Sequence, residues 1–163
     1  MLEEFSNQFA RIFNLPLAKY DNWGNVFWAL AKHLEKGKIL VLFDEISWMG
    51  SKDPTFLGQI KNLWDLYLSN NPNLVFIICG SSSSWIDKNI LSSTGFVGRI
   101  SYTLNLKELS LPEASQFWPS NIAEYEKLKI LSITGGVPKY LEEINPKLSA
   151  EENIKLLCFK NGG

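Results

Sequence analysis

Apolar residues recur at helical spacing from the start of the chain, at Leu2, Phe5, Phe9, Ile12 and Phe13. This predicts an amphipathic helix that stops near Asn14-Leu15-Pro16. Asp21 or Asn22 can cap a second helix with the stripe Trp23, Phe27, Leu30, Ala31 and Leu34, ended by Gly37. The pattern then changes period. Ile39–Phe43 is a short run, apolar at every position, which predicts a strand buried on both faces of a parallel sheet. A loop, Ser47 to Pro54, follows Asp44-Glu45. A third helix carries Phe56, Ile60, Leu63, Trp64, Tyr67 and Leu68. Asn70-Asn71-Pro72-Asn73 breaks it, and Leu74–Cys79 repeats the doubly apolar strand pattern.

Gly80 and the serines Ser81 to Ser84 close this second strand, and the last serine can cap a short helix with Trp85, Ile86 and Ile90. A shorter strand, about Ser101 to Leu106, follows Gly98-Arg99. From Leu109 the pattern is wholly helical. Asn121 with Glu124 is a capping pair, and Tyr125, Leu128 and Leu131 share one helix face. Gly135-Gly136 stops that helix. Pro138 opens another reaching about Ile144, Asn145-Pro146 breaks it, and a last helix starts near Ser149. Strands alternating with helices of this length predict a three-layer parallel α/β domain.

Composition narrows the function. The 163 residues are 45% hydrophobic and 20% charged, a globular balance. The net charge of −1 offers no overall attraction to nucleic acid or to an anionic membrane. Arg11 and Arg99 are the only arginines. Of the two cysteines, Cys79 reads as a small core residue and Cys158 lies near the end of the chain; they form no C-x-x-C pair. The apolar runs are too short to span a bilayer, and the acidic start Met1-Leu2-Glu3-Glu4 lacks the basic opening of a signal peptide, so a cytoplasmic setting is expected.

Asp44-Glu45 is the first candidate for chemistry. In open α/β sheets, ligands bind beyond the carboxyl ends of the strands. A strand-tip aspartate there can hold Mg²⁺ or its water, and the adjacent glutamate can polarise an attacking water. The plainer reading is a strand that meets a polar loop. The second strand ends in Gly80-Ser81-Ser82, where a serine hydroxyl can donate to a phosphate or to the attacking water, or can cap a helix. Arg99 suits charge on a transferring phosphoryl group; it equally suits a surface turn. Gly135-Gly136-Val137-Pro138 needs no more than a helix stop and a proline-started helix.

In this order, Ile39–Glu45 with Trp48, Leu74–Trp85, Gly98-Arg99, Leu109–Ala114 and Gly135–Leu141 resemble the prokaryotic AAA-type ATPases of the archaeal ATPase group, P-loop proteins close to the STAND class. The resemblance runs from about Phe5 to Glu152. It implies a sheet of the additional-strand P-loop NTPase type with a C-terminal helical lid, divided here as a partial core over 1–108 and a lid with the start of a following region over 109–163. It implies ATP and Mg²⁺ as cofactors. Asp44 would be the magnesium residue, Glu45 the catalytic glutamate, and Ser81 or Ser82 the sensor. Arg99 would be an arginine finger or sensor. Gly136 and Pro138 would match the Gly-x-Pro element near the adenine.

The sequence contains no Gly-x-x-x-x-Gly-Lys-Ser/Thr. Backbone amides and a lysine in that loop normally cradle the phosphates. By the resemblance, the first strands lie upstream of Leu2–Phe13, and Gly162-Gly163 falls where the family continues into a winged-helix region. The sheet is then incomplete, and residues 1–163 are expected to be poorly stable, to associate or to rearrange. Two functions follow. One is an ATP-hydrolysing module whose phosphate loop comes from elsewhere, with a homo-oligomer or another protein as possible partner. The other is a non-catalytic interaction remnant of the fold. Nucleic-acid binding has no support in this segment.

Overall fold

The structure, a computed structural model, describes residues 1–159. The expectation attached to Gly162-Gly163 lies outside them. The chain divides into two compact units, Met1–Tyr102 and the residues from Thr103 onward.

In the first unit, α1 (Leu2–Ile12) and α2 (Trp23–Ala31) lead into β1 (Ile39–Phe43). Asn22 is the residue that caps α2, its Oδ1 accepting from the Asn25 amide at 2.9 Å. The helix ends before Gly37, which instead takes φ +97° in the turn before β1. After β1 the chain makes a single helical turn, α3 (Ile46–Met49), within the segment expected to be a loop. Then come α4 (Phe56–Leu66) and β2 (Leu74–Ile78). Asn71 anchors the entry to β2. Its buried Nδ2 donates to the carbonyls of Leu34 and Gly37 at 3.0 and 3.1 Å, and its Oδ1 accepts from the Asn73 amide.

β1 and β2 pair in parallel, with Ile39 opposite Leu74 and Phe43 opposite Ile78. One face of this sheet is packed. Ile39, Val41, Phe43, Leu74, Phe76 and Ile78 lie against a core that contains Phe9, Trp23, Phe27, Phe56, Ile60 and Leu63. Phe43 meets Phe76 edge-on at 4.9 Å and stacks on Phe27 at 5.6 Å. The opposite face is bare. Leu40, Leu42, Val75 and Ile77 are 65%, 52%, 54% and 39% exposed. This corrects the expectation of two strands buried on both faces. The side chains are apolar on both sides, but the described residues supply a helical layer for only one of them. Among the described residues neither strand has a second neighbour.

β2 leads into α5 (Ser83–Ile86), which widens into a π turn over Asp87–Leu91. Ser82 holds the cap position without a side-chain bond, so the capping role expected of Ser84 is not seen. The strand expected at about Ser101 to Leu106 does not form. That segment has no ladder partner and is exposed throughout, although Ile100, Tyr102, Leu104 and Leu106 keep a strict alternation. A strand needs an edge to pair with, and propensity alone does not create one.

The second unit is helical: α6 (Leu111–Ala114), α7 (Glu124–Thr134), α8 (Pro138–Glu142) and α9 (Ala150–Phe159). Its core holds Ala114, Trp118, Ile130, Leu141, Ile144 and Ala150. The cap of α7 is Ala123, not Asn121, and the reciprocal capping box lies at Ser110 and Glu113 instead. The expected α7 face is also shifted. Tyr125 and Leu128 are exposed while Lys127, Ile130 and Thr134 are buried. Lys127 lays its methylenes on the core and keeps its ammonium on Glu124 at 2.9 Å.

Candidate functional site

The two strands bring their carboxyl ends together. Past the ladder, the Cys79 amide donates to the Phe43 carbonyl and the Ile46 amide donates to the Cys79 carbonyl, both at 3.0 Å. These bonds fix Cys79 against the turn that carries Asp44 and Glu45. Glu45 takes φ 50°, ψ 46°, a left-handed conformation uncommon outside glycine and asparagine. The turn places the Glu45 amide on Asp44 Oδ1 at 2.8 Å, and the Cys79 thiol donates to the same oxygen at 2.9 Å. Asp44 is exposed, and among the described residues no protein group donates to its Oδ2.

The electrostatics follow from these contacts. The Cys79 thiol, and after it the Glu45 amide, hold the Asp44 carboxyl below its ordinary range. The Cys79 thiol is pushed up, first by its bond to Asp44 and then by burial. Cys79 is therefore not the inert core residue its apolar run suggests. It is half-buried and faces the carboxylate. The signal was present in the sequence as equal spacing: the register that pairs Phe43 with Ile78 also sets Asp44 opposite Cys79.

Ser81 joins the same cluster. Its Oγ donates to Glu45 Oε2 at 3.1 Å. Ser82, the alternative, sits at the helix cap and makes no side-chain bond to Glu45. Asp44, Glu45, Cys79 and Ser81 thus gather at one end of the sheet. By strand alternation Asp44 and Cys79 fall on the side of Leu40, Leu42, Val75 and Ile77, the bare face.

Arg99 is held elsewhere. Its Nε and Nη2 grip the two oxygens of Asp65 on α4 at 2.6 and 2.9 Å, and Lys61 reaches Asp65 at 2.8 Å. Arg99, with Lys61 after it, drives the Asp65 carboxyl far below its ordinary range, and Asp65 in turn raises Arg99. Gly136 and Pro138 belong to the second unit, where packing explains the glycines. A Cβ on Gly136 would overlap the Leu109 carbonyl. Gly135 takes φ 59°, ψ −162°, and a Cβ there would lie 2.9 Å from Glu108 Oε2. Pro138 starts α8 at its first position.

A hard cation such as Mg²⁺ takes oxygen ligands, keeps several waters and is commonly held by one or two carboxylates together with substrate phosphates. Asp44 fits that demand, with Glu45 beside it. No cluster of three metal-ligating side chains occurs among the described residues, so most of a coordination shell would come from water and substrate. The phosphates fit less well, because no glycine-lysine loop occurs in the sequence to cradle them.

Residues 3–144 match the family described as an ATPase domain predominantly from Archaea. The chain is also 26% identical over 162 residues to a Methanocaldococcus jannaschii protein named as an uncharacterized ATP-binding protein, a match covering 91% of this chain. The chain spans about 44% of that relative's length. No solved structure matches. Among the described residues no helix is long and apolar enough to cross a membrane.

Proposed function

This chain belongs to the family of ATPase domains found predominantly in Archaea, and from that premise we propose that it carries the water-activating half of a Mg²⁺-dependent, AAA-type ATP-hydrolysing site. The observation that carries this reading is the cluster at the strand tips, where Asp44, Glu45 and Ser81 lie within hydrogen-bond reach of one another or of shared partners. In the proposal Ile39–Glu45 is a Walker B strand. Asp44 offers Oδ2 to the cation or to its water. Glu45 orients the attacking water and accepts its proton, while Ser81 holds the glutamate until substrate competes for the hydroxyl. Ser81 is thereby preferred to Ser82 as the sensor residue. Mg²⁺, when bound, supplies positive charge to the phosphate oxygens.

Residues 1–108 are assigned to a partial three-layer core and 109–163 to a helical lid with the start of a following region. The phosphate cradle is assigned to polypeptide beyond these 163 residues. The bare sheet face supports that assignment. A parallel sheet is normally covered on both faces, and Asp44 borders the uncovered one, so a segment packed there would come next to the site. Arg99, gripped by Asp65, would act as a finger only after leaving that contact. A nucleotide partner, a homo-oligomer and a cytoplasmic setting belong to the same proposal.

The test is nucleotide binding and turnover by this chain in the presence of the polypeptide that supplies the phosphate cradle. Glu45→Gln is expected to keep Mg²⁺·ATP binding and lose roughly 10²-fold or more in turnover. Asp44→Ala is expected to lose the Mg²⁺ dependence of binding. Unchanged turnover in both variants would remove the reading. The bare apolar face also favours a second function, an interaction scaffold without hydrolysis. Complete absence of nucleotide binding, with retained association, would select it.

A further inference from the structure

Asp44 presents two carboxylate oxygens in different states. Oδ1 accepts both the Glu45 amide and the Cys79 thiol, whereas Oδ2 has no protein donor among the described residues. The two donors differ in kind. The Glu45 amide belongs to the next residue and moves with the turn. Cys79 belongs to the neighbouring strand, and its backbone is clamped on both sides by the Phe43 carbonyl and the Ile46 amide at 3.0 Å. Only the thiol therefore ties the carboxylate to the rigid sheet. It also does so without a charge or a hydrated group that would compete for a cation.

We infer that Cys79 is a positioning residue for Asp44, its thiol pinning Oδ1 to the sheet so that Oδ2 is left for the cation. The inference rests on the proposed role of Asp44 as the magnesium residue. A metal-ligating carboxylate held by a second partner is oriented before the metal arrives, and loss of such partners commonly weakens metal affinity by about 10- to 100-fold. The exposed position of Asp44 makes the anchor necessary, because surface carboxylates without one sample several rotamers.

The experiment uses the 163-residue chain labelled with ¹³C and ¹⁵N. Three-bond couplings across the Asp44 χ1 bond report whether its side chain occupies one rotamer. The wild type is expected to show one. Cys79→Ala is expected to average the couplings, and Cys79→Ser, whose hydroxyl can still donate, is expected to restore them, with unchanged urea midpoints in both. Single-rotamer couplings in Cys79→Ala would overturn the inference. Should Cys79→Ala fail to fold, Asp44→Ala is read instead. Alkylation of Cys79 by iodoacetamide, normalised to that of the exposed Cys158, should rise once the acceptor is gone, and an unchanged ratio would overturn the inference. Mn²⁺ alone separates this result from the reading beneath it. Paramagnetic broadening at the Glu45 and Ile46 amides should need roughly tenfold more Mn²⁺ in Cys79→Ala. A locked Asp44 that no Mn²⁺ broadens would support the Cys79 contact and count against the cation role of Asp44.

Discussion

Leu42 and Phe43 are adjacent on β1 and face opposite sides of the sheet, which makes them a controlled pair. Phe43 is 4% exposed and touches Phe5, Phe27 and Phe76, whereas Leu42 is 52% exposed. Phe43→Ala removes a ring from a packed cluster and leaves a cavity, which costs about 3–5 kcal/mol. Leu42→Ala removes a side chain that has given up only half its contact with water. Full burial of a leucine is worth about 1.5–3 kcal/mol, so the half-buried one is worth about 1 kcal/mol, with no cavity to add. The assay is urea unfolding of the 163-residue chain, followed by tryptophan fluorescence at several protein concentrations. A Leu42→Ala loss as large as that of Phe43→Ala, at every concentration, would refute the half-covered sheet. A Leu42→Ala loss that grows with concentration would mean that copies associate through the bare face. Leu42→Lys would then abolish that concentration dependence.

Two further outcomes follow from the contacts. Asp65, held far below its ordinary range by Arg99 and Lys61, contributes stability that is fully present above its unfolded pKa of about 3.9 and is lost as pH falls toward the folded value. Asp65→Asn should therefore lower the melting temperature at neutral pH, with the difference from wild type shrinking below roughly pH 4; a pH-independent difference would break this account. In the second unit, Gly136→Ala drives a methyl into the Leu109 backbone and should cost about 3 kcal/mol, read by the fluorescence of Trp118 against the unchanged first unit.

Both parallel strands, α1, α2, α4 and the helical second half were legible because their apolar residues repeat at the period of the element they form. The strand-tip carboxylates were legible for a related reason, since an apolar strand that stops at Asp44-Glu45 delivers them to the sheet's end. Other features were not legible. The doubly apolar pattern of Ile39–Phe43 states what each face requires but not whether a partner meets it, and here one face has none. The alternating segment Ser101 to Leu106 reads as a strand, yet pairing is a property of two segments. The α7 face is not legible in the sequence because Lys127 counts as polar by its tip and packs by its stem.

The site divides in the same way. Residue type and order within the chain singled out Asp44, Glu45, the serine pair and Arg99. Three-dimensional contact separated them: Ser81 touches Glu45, Ser82 occupies a helix cap position without a side-chain bond, and Arg99 is occupied by Asp65. Cys79 was hidden in an apolar run because its contact with Asp44 spans 35 positions and depends on strand register. Sequence alone determined the two apolar strands and most of the helices, since local period and turn chemistry act within a few residues of each other. Tertiary structure decided which side chains meet and which face stays uncovered, because those depend on groups that only folding brings together.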